Sequence, residues 1–141
     1  MIPDGATTVP DPGPLGIWTS RLELQPMALA QEAAAELDER GFGALWVPEA
    51  IAREAFTNVS LLLAATSRMT VATGIANLHA RTATTMNAGW RTLTEAFPER
   101  FVLGIGVSHR SLVEAVFKGR YGSTPYRTMV AYLDSMDVAR F

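Results

Sequence analysis

The run Phe101 to Val107, F-V-L-G-I-G-V, is apolar at every position and never alternates. A strand with one face in water reads apolar, polar, apolar. An unbroken apolar run of this length, too short for a helix, is instead the pattern of a strand covered on both faces in a parallel sheet. Gly104 and Gly106 lie two residues apart and share one face, where a missing side chain lets another backbone, a bulky neighbour or a flat ligand approach. The run then ends in Ser108-His109-Arg110. Small and polar residues at such a point are how the carboxyl edge of an α/β sheet presents a site.

Three further strand-then-helix units precede it. Leu15 to Thr19 reads as a first strand, and Pro26 suits the first turn of a helix, where its missing donor costs nothing. Leu29, Ala33 and Leu37 recur there at helical spacing, Glu32, Glu36 and Arg40 form a polar row, and Gly41 supplies the stop. Ala44 to Val47 is a second strand, halted by Pro48 and followed by Glu49. Thr57 or Asn58 is expected to cap a helix through Leu61, Leu62, Leu63 and Ala65. Met69 to Ile75 is the third strand, with Gly74 near its end and the loop 76–81 behind it. Met86, Trp90, Leu93 and Phe97 make the apolar stripe of a third helix that leads into the fourth strand. Beyond it, Ser111 to Phe117 reads as a helical turn or two and Lys118 to Ser123 as a loop. Thr124-Pro125 then opens a last helix with Met129, Leu133 and Met136 on one face.

Units of about 30 residues with right-handed crossovers place the strands parallel, so the fold class is α/β. Two architectures fit: a doubly wound open sheet, or the first half of a TIM-type (β/α)8 barrel, whose eight units take about 250 residues. No G-x-G-x-x-G turn follows the first strand and no Walker loop is present; Gly104-Ile105-Gly106 is only a partial match. The domain is expected to run over 15–141, behind a mobile arm over 1–14 that is rich in Pro, Gly, Thr and Asp.

Composition narrows the function classes. A net charge of −2 with dispersed Arg and Lys leaves no basic stripe for nucleic acid. With no cysteine there is no disulfide, thiolate metal site or cysteine nucleophile, which weakly suggests the cytoplasm. No signal-peptide pattern opens the chain and no apolar run nears the ~20 residues that cross a bilayer.

Four stretches carry a resemblance: G-I-W-T at Gly16 to Thr19, G-F-G-A-L-W-V-P-E at Gly41 to Glu49, T-S-R-M-T-V-A-T-G-I at Thr66 to Ile75, and F-P-E-R-F-V-L-G-I-G-V-S at Phe97 to Ser108. In order and spacing they resemble the luciferase-like oxidoreductases, nearest the branch that uses the deazaflavin coenzyme F420. The resemblance covers Leu15 to Ala139 and implies the amino-terminal half of a (β/α)8 barrel that binds a flavin or deazaflavin at its strand ends. It implies ring support by Gly74, Ile75, Ala76 and Asn77, where the family often carries a bulge with a non-proline cis peptide. Gly106, Val107, Ser108 and His109 would run along the ring near the reacting centre, and Trp18, Thr19 and Glu49 would shape the substrate side. Members acting on sugar phosphates have a histidine where this chain has Ala50, and a glutamate after the fourth strand where it has His109. Their acid/base chemistry is therefore not carried over.

The function this implies is two-electron redox on a small organic substrate: hydride transfer with F420, or monooxygenation with FMN. His109 and Glu49 are the candidates for handling protons, histidine having an ordinary pKa of about 6.5. Each has a plainer alternative: His109 as a solvated loop residue, Glu49 as a cap, Asn77 as a turn residue. His79 and Arg81 are expected to face solvent or start a helix, and Trp46 and Trp90 to join the core. Because the family's later strands supply much of its cofactor binding, a homodimer, completion by another chain, or an inactive truncated half are the expectations for partners.

Overall fold

The computed structural model of the chain describes residues 10–139. Its elements run β1 (Gly16–Trp18), α1 (Met27–Glu39), β2 (Ala44–Val47), α2 (Ala55–Ala64), β3 (Thr70–Thr73), β4 (Ala76–Asn77), α3 (Ala83–Ala96), β5 (Phe101–Val102), β6 (Ile105–Gly106), α4 (Arg110–Ala115) and α5 (Pro125–Val138). Strands β1, β2, β3 and β5 pair in that order, all parallel, with Gly16 opposite Ala44, Ala44 opposite Thr70 and Val71 opposite Phe101. A doubly wound sheet must reverse its strand order; this one never does. Successive right-handed crossovers in one direction put the helices on one face, the arrangement of the first half of a (β/α)8 barrel.

The core lies between that sheet and α1, α2 and α3. Leu45, Val47, Val59, Leu62, Leu63, Met69 and Val71 are excluded from solvent, and Phe101 meets Phe56 edge to face at 6.2 Å. Burial of each such aliphatic side chain contributes about 1.5–3 kcal/mol. In α1 the inward stripe is Ala30, Ala34 and Leu37 with Asp38, so Leu29, expected inside, is half exposed. Small alanines let the helix sit close to α2. Gly41 follows α1 at φ 85°, the left-handed stop that glycine adopts without penalty.

Two helix starts differ from expectation or sharpen it. Glu54, not Thr57 or Asn58, caps α2, its carboxylate accepting from the amides of Phe56 and Thr57. The helix thus begins earlier, and Asn58 is buried within it. Thr82 caps α3 through its hydroxyl, which accepts from Thr85 N. At the other end of the sheet, Asp38 accepts from the amides of Ser67, Arg68 and Met69, fastening α1 to the entry of β3. Burial alone would raise its carboxyl pKa, but those three donors and the Arg68 guanidinium hold it below the ordinary value.

The fourth strand departs most from its sequence pattern. Instead of one strand covered on both faces, Phe101–Val107 is split into β5 and β6, and every residue from Val102 to Val107 keeps partial exposure. The break has a partner across the sheet. β3 is interrupted at the same level by a cis peptide bond between Gly74 and Ile75, after which β4 pairs with β6, Ala76 opposite Ile105 and Asn77 opposite Gly106. The Thr73 hydroxyl fills the gap, accepting from Gly104 N at 2.9 Å and donating to Gly104 O at 2.8 Å. A Cβ on Gly104 would lie 2.2 Å from the Thr73 carbonyl oxygen, so backbone is what approaches that glycine.

Residues 1–9 of the expected arm lie outside the described residues. Asp11 is tied down, its carbonyl accepting from the Thr70 hydroxyl.

Candidate functional site

All strands are parallel, so their carboxyl ends share one edge, and the residues singled out from the sequence gather there. The paired ends of β4 and β6 bring Gly74 and Ile75 beside Gly106, Val107 and Ser108, all of which retain surface. Trp18, at the end of β1, is 57% exposed and its indole N–H donates to Gly74 O at 2.7 Å. The space left by Gly74 is bordered by this indole at 3.0 Å, and that left by Gly106 is filled by the Ile75 side chain at 2.5 Å. Trp18, the Gly74-Ile75 peptide and the Gly106–Ser108 segment thus lie side by side as a shelf at the strand ends, surfaced by the Trp18 indole, the Ile75 side chain and glycine backbone. Such a surface suits one face of a flat ring.

Ala76 and Asn77 lie under this shelf with no exposed surface. Asn77 Oδ1 accepts from His79 N, closing the turn, while its Nδ2 is buried without a hydrogen-bond partner. Thr19 is half buried and its hydroxyl accepts from Arg21 N. His109 stands exposed at the start of α4, offering no side-chain cap to it. Ser108 before it has φ 58°, and its carbonyl accepts from the Tyr121 hydroxyl.

Glu49 is placed differently from His109. Its side chain is 4% exposed and both oxygens are engaged: Oε1 accepts from Ala55 N, Oε2 from Asn77 N at 2.8 Å, and the Arg81 guanidinium grips both. Arg81, expected in solvent or at a helix start, is 7% exposed at its side chain. It also pairs with Glu54 at 2.9 Å and lies 5.1 Å from the centre of the Phe56 ring. Burial would favour loss of its proton, but the Glu49 and Glu54 carboxylates outweigh that and raise its pKa. Glu54 is lowered: burial acts upward, and the Thr57 and Phe56 donors with Arg81 overcome it. Beneath them the Tyr132 hydroxyl donates to Arg81 O, and burial, with the Glu49 charge, pushes its pKa up to about 12.

Three residues of this edge escaped the sequence reading. Arg81 was legible in principle, since a loop leaving β3 passes beside the end of β2 and its acidic Glu49. Tyr121 stacks at 5.8 Å from His79, with Arg110 5.3 Å over its ring, and nothing local announces that. Burial lowers the His79 pKa. Glu23, on the turn after β1, is buried and accepts from Ala50 N; burial raises its pKa against the opposing pull of that amide and Arg53. Away from this edge, a groove of about 780 Å³ runs between α3, α5 and the open side of the fourth strand, past Trp90, Leu103, Ile105 and Met136. Among the described residues no cluster of metal-ligating side chains occurs, and no helix is long and apolar enough to cross a membrane.

Similar proteins agree with this geometry. A Mycobacterium tuberculosis protein named as a coenzyme F420-dependent oxidoreductase is 30% identical over 120 residues, which are 85% of this chain and 33% of that protein. Among solved structures, an F420-dependent secondary alcohol dehydrogenase, in complex with an F420-acetone adduct, superposes with a TM-score of 0.75 at 21% identity, over 87% of this chain and 40% of that one. The oxygenating constituent of 3,6-diketocamphane monooxygenase from Pseudomonas putida, in complex with FMN, gives a TM-score of 0.74 at 12% identity, covering 86% and 38%. The last two are likenesses of fold, and the chain spans well under half the length of each relative. The model of the luciferase-like monooxygenase family matches residues 9–139, so the chain, with its parallel half-barrel, belongs to that family.

Proposed function

We propose that this chain supplies the ring-facing strand ends of a luciferase-like oxidoreductase, with coenzyme F420 as cofactor and a small organic molecule as substrate. The observation that carries the reading is the shelf of Trp18, Gly74-Ile75 and Gly106–Ser108, on which a flat ring would meet the Trp18 indole, the Ile75 side chain and glycine backbone. The F420-dependent relative at 30% identity supports the choice of deazaflavin. Bound there, F420 supplies two-electron hydride chemistry.

The chain's own residues then do four things. Gly74, Ile75, Gly106, Val107 and Ser108 hold the ring, with Ala76 and Asn77 supporting it from below. Trp18 and Thr19 border the substrate and keep water from that side. His109, unencumbered by hydrogen bonds to its own helix, exchanges a proton with substrate. Glu49 belongs to the support, because its oxygens already accept from two amides and a guanidinium. An FMN-dependent monooxygenase is the second reading, favoured by the FMN-bound neighbour.

Fluorescence titration of the full chain with F420, and separately with FMN, tests this. Saturable quenching of Trp18 by F420 is the expected result. Binding of FMN alone would transfer the reading to the monooxygenase, and binding of neither would remove it.

A further inference from the structure

We propose that the Arg81–Glu49 ion pair is the positioning device of the strand-end shelf, setting where the Gly74-Ile75 peptide lies. The proposal rests on the function proposed above. Glu49 grips both sides of the kink between β3 and β4: its N–H donates to Ile75 O at 3.0 Å, and its Oε2 accepts from Asn77 N at 2.8 Å. The same carboxylate takes the first amide of α2, Ala55 N, so kink and helix start are referred to one point. Arg81, four residues past Asn77, closes the loop on that point with two nitrogens and spans to Glu54, the cap of α2. Gly74, one bond upstream of Ile75, then accepts from the indole of Trp18 at the opposite border of the shelf.

A buried ion pair is a poor source of stability, because apolar residues of equal volume often do as well; what it supplies is direction. The guanidinium fork allows one orientation of the carboxylate, and a lysine ammonium does not reproduce it. The side-chain partners of Arg81 are Glu49, Glu54, Met86 and the Phe56 ring, none of them a shelf residue, so it acts through Glu49 and is a positioning residue.

The test uses the full chain with Arg81→Lys, and Glu49→Gln as a second variant, since it retains volume and one acceptor oxygen. The first readout needs no cofactor: the Trp18 indole N–H resonance in an NMR spectrum reports its bond to Gly74 O. A Val59→Ala variant, destabilised in the core of α2, is the control for loss of stability alone. The expected result is a displaced Trp18 indole resonance in either folded ion-pair variant and an unmoved one in Val59→Ala, with F420 binding weakened about tenfold or more in the former. An indole resonance unchanged in both ion-pair variants overturns the proposal. Should the unsubstituted chain bind neither F420 nor FMN, the functional reading fails, while the indole resonance still decides the positioning role.

Discussion

The second and fourth strands each deliver a titratable side chain to the same edge, and the two ends are built in opposite ways. Glu49, after β2, is buried beneath the shelf with Arg81, two backbone amides and the cap of α2 around it. His109, after β6, is exposed at the start of α4, behind a partly exposed fourth strand that is broken at Gly104. The physical difference is coverage. β2 has a paired strand on each side, so its end is surrounded by loops that can donate to a carboxylate, whereas β6 pairs only with β4. A carboxylate so enclosed defines geometry, and an imidazole so exposed can answer to whatever arrives.

Breaking the enclosed end should have the largest effect. Glu49→Ala leaves the buried Arg81 with only the half-exposed Glu54 carboxylate and takes the acceptor from the Ala55 and Asn77 amides, and breaking a buried pair from one side costs about 3–5 kcal/mol in urea denaturation. A loss below 1 kcal/mol would mean that the cluster relaxes into solvent and that the contrast is overstated. Next comes Gly104→Ala, where the added methyl meets the Thr73 carbonyl and the strands must part. Overpacking of this kind costs about 1–3 kcal/mol, and it should also perturb the Gly106–Ser108 backbone in amide exchange.

The amino end of the same strand pair offers a sharper check through pH. Asp38 is held below its ordinary value of 3.8, so it contributes stability above that pH and loses it as the pH falls through the lower folded-state value. Asp38→Asn should therefore destabilise the chain at neutral pH by roughly 1.5 kcal/mol. The difference between variant and parent should vanish in acid, which a pH series of thermal melts reads directly. The smallest effect belongs to the open end: His109→Ala should leave stability within about 0.5 kcal/mol while lowering turnover, if turnover is established with F420. A large loss of stability would place His109 in the framework beside Glu49 and erase the distinction.

Much of the framework was legible in local pattern. Gly41 as a stop, the row Glu36-Arg40, the strand Ala44–Val47 halted before Pro48, and the third helix through Met86 and Leu93 all appear where periodicity placed them. The site was legible only as a set of strand ends. The α1 stripe slipped by one residue because alanines decide which face can approach α2. The cap of α2 moved to Glu54 because its carboxylate also answers Arg81, a residue distant in sequence.

What the sequence alone determined is the succession of strands and helices, their parallel sense and the edge at which polar residues collect, since these follow from periodicity, turn residues and the handedness of crossovers. Tertiary structure decided the rest: that strand order never reverses, that the apolar run at Phe101–Val107 divides around the Thr73 hydroxyl, and that Arg81 turns inward to Glu49. Those outcomes depend on which backbone groups and charges find partners across the sheet, and residues far apart in the chain set them.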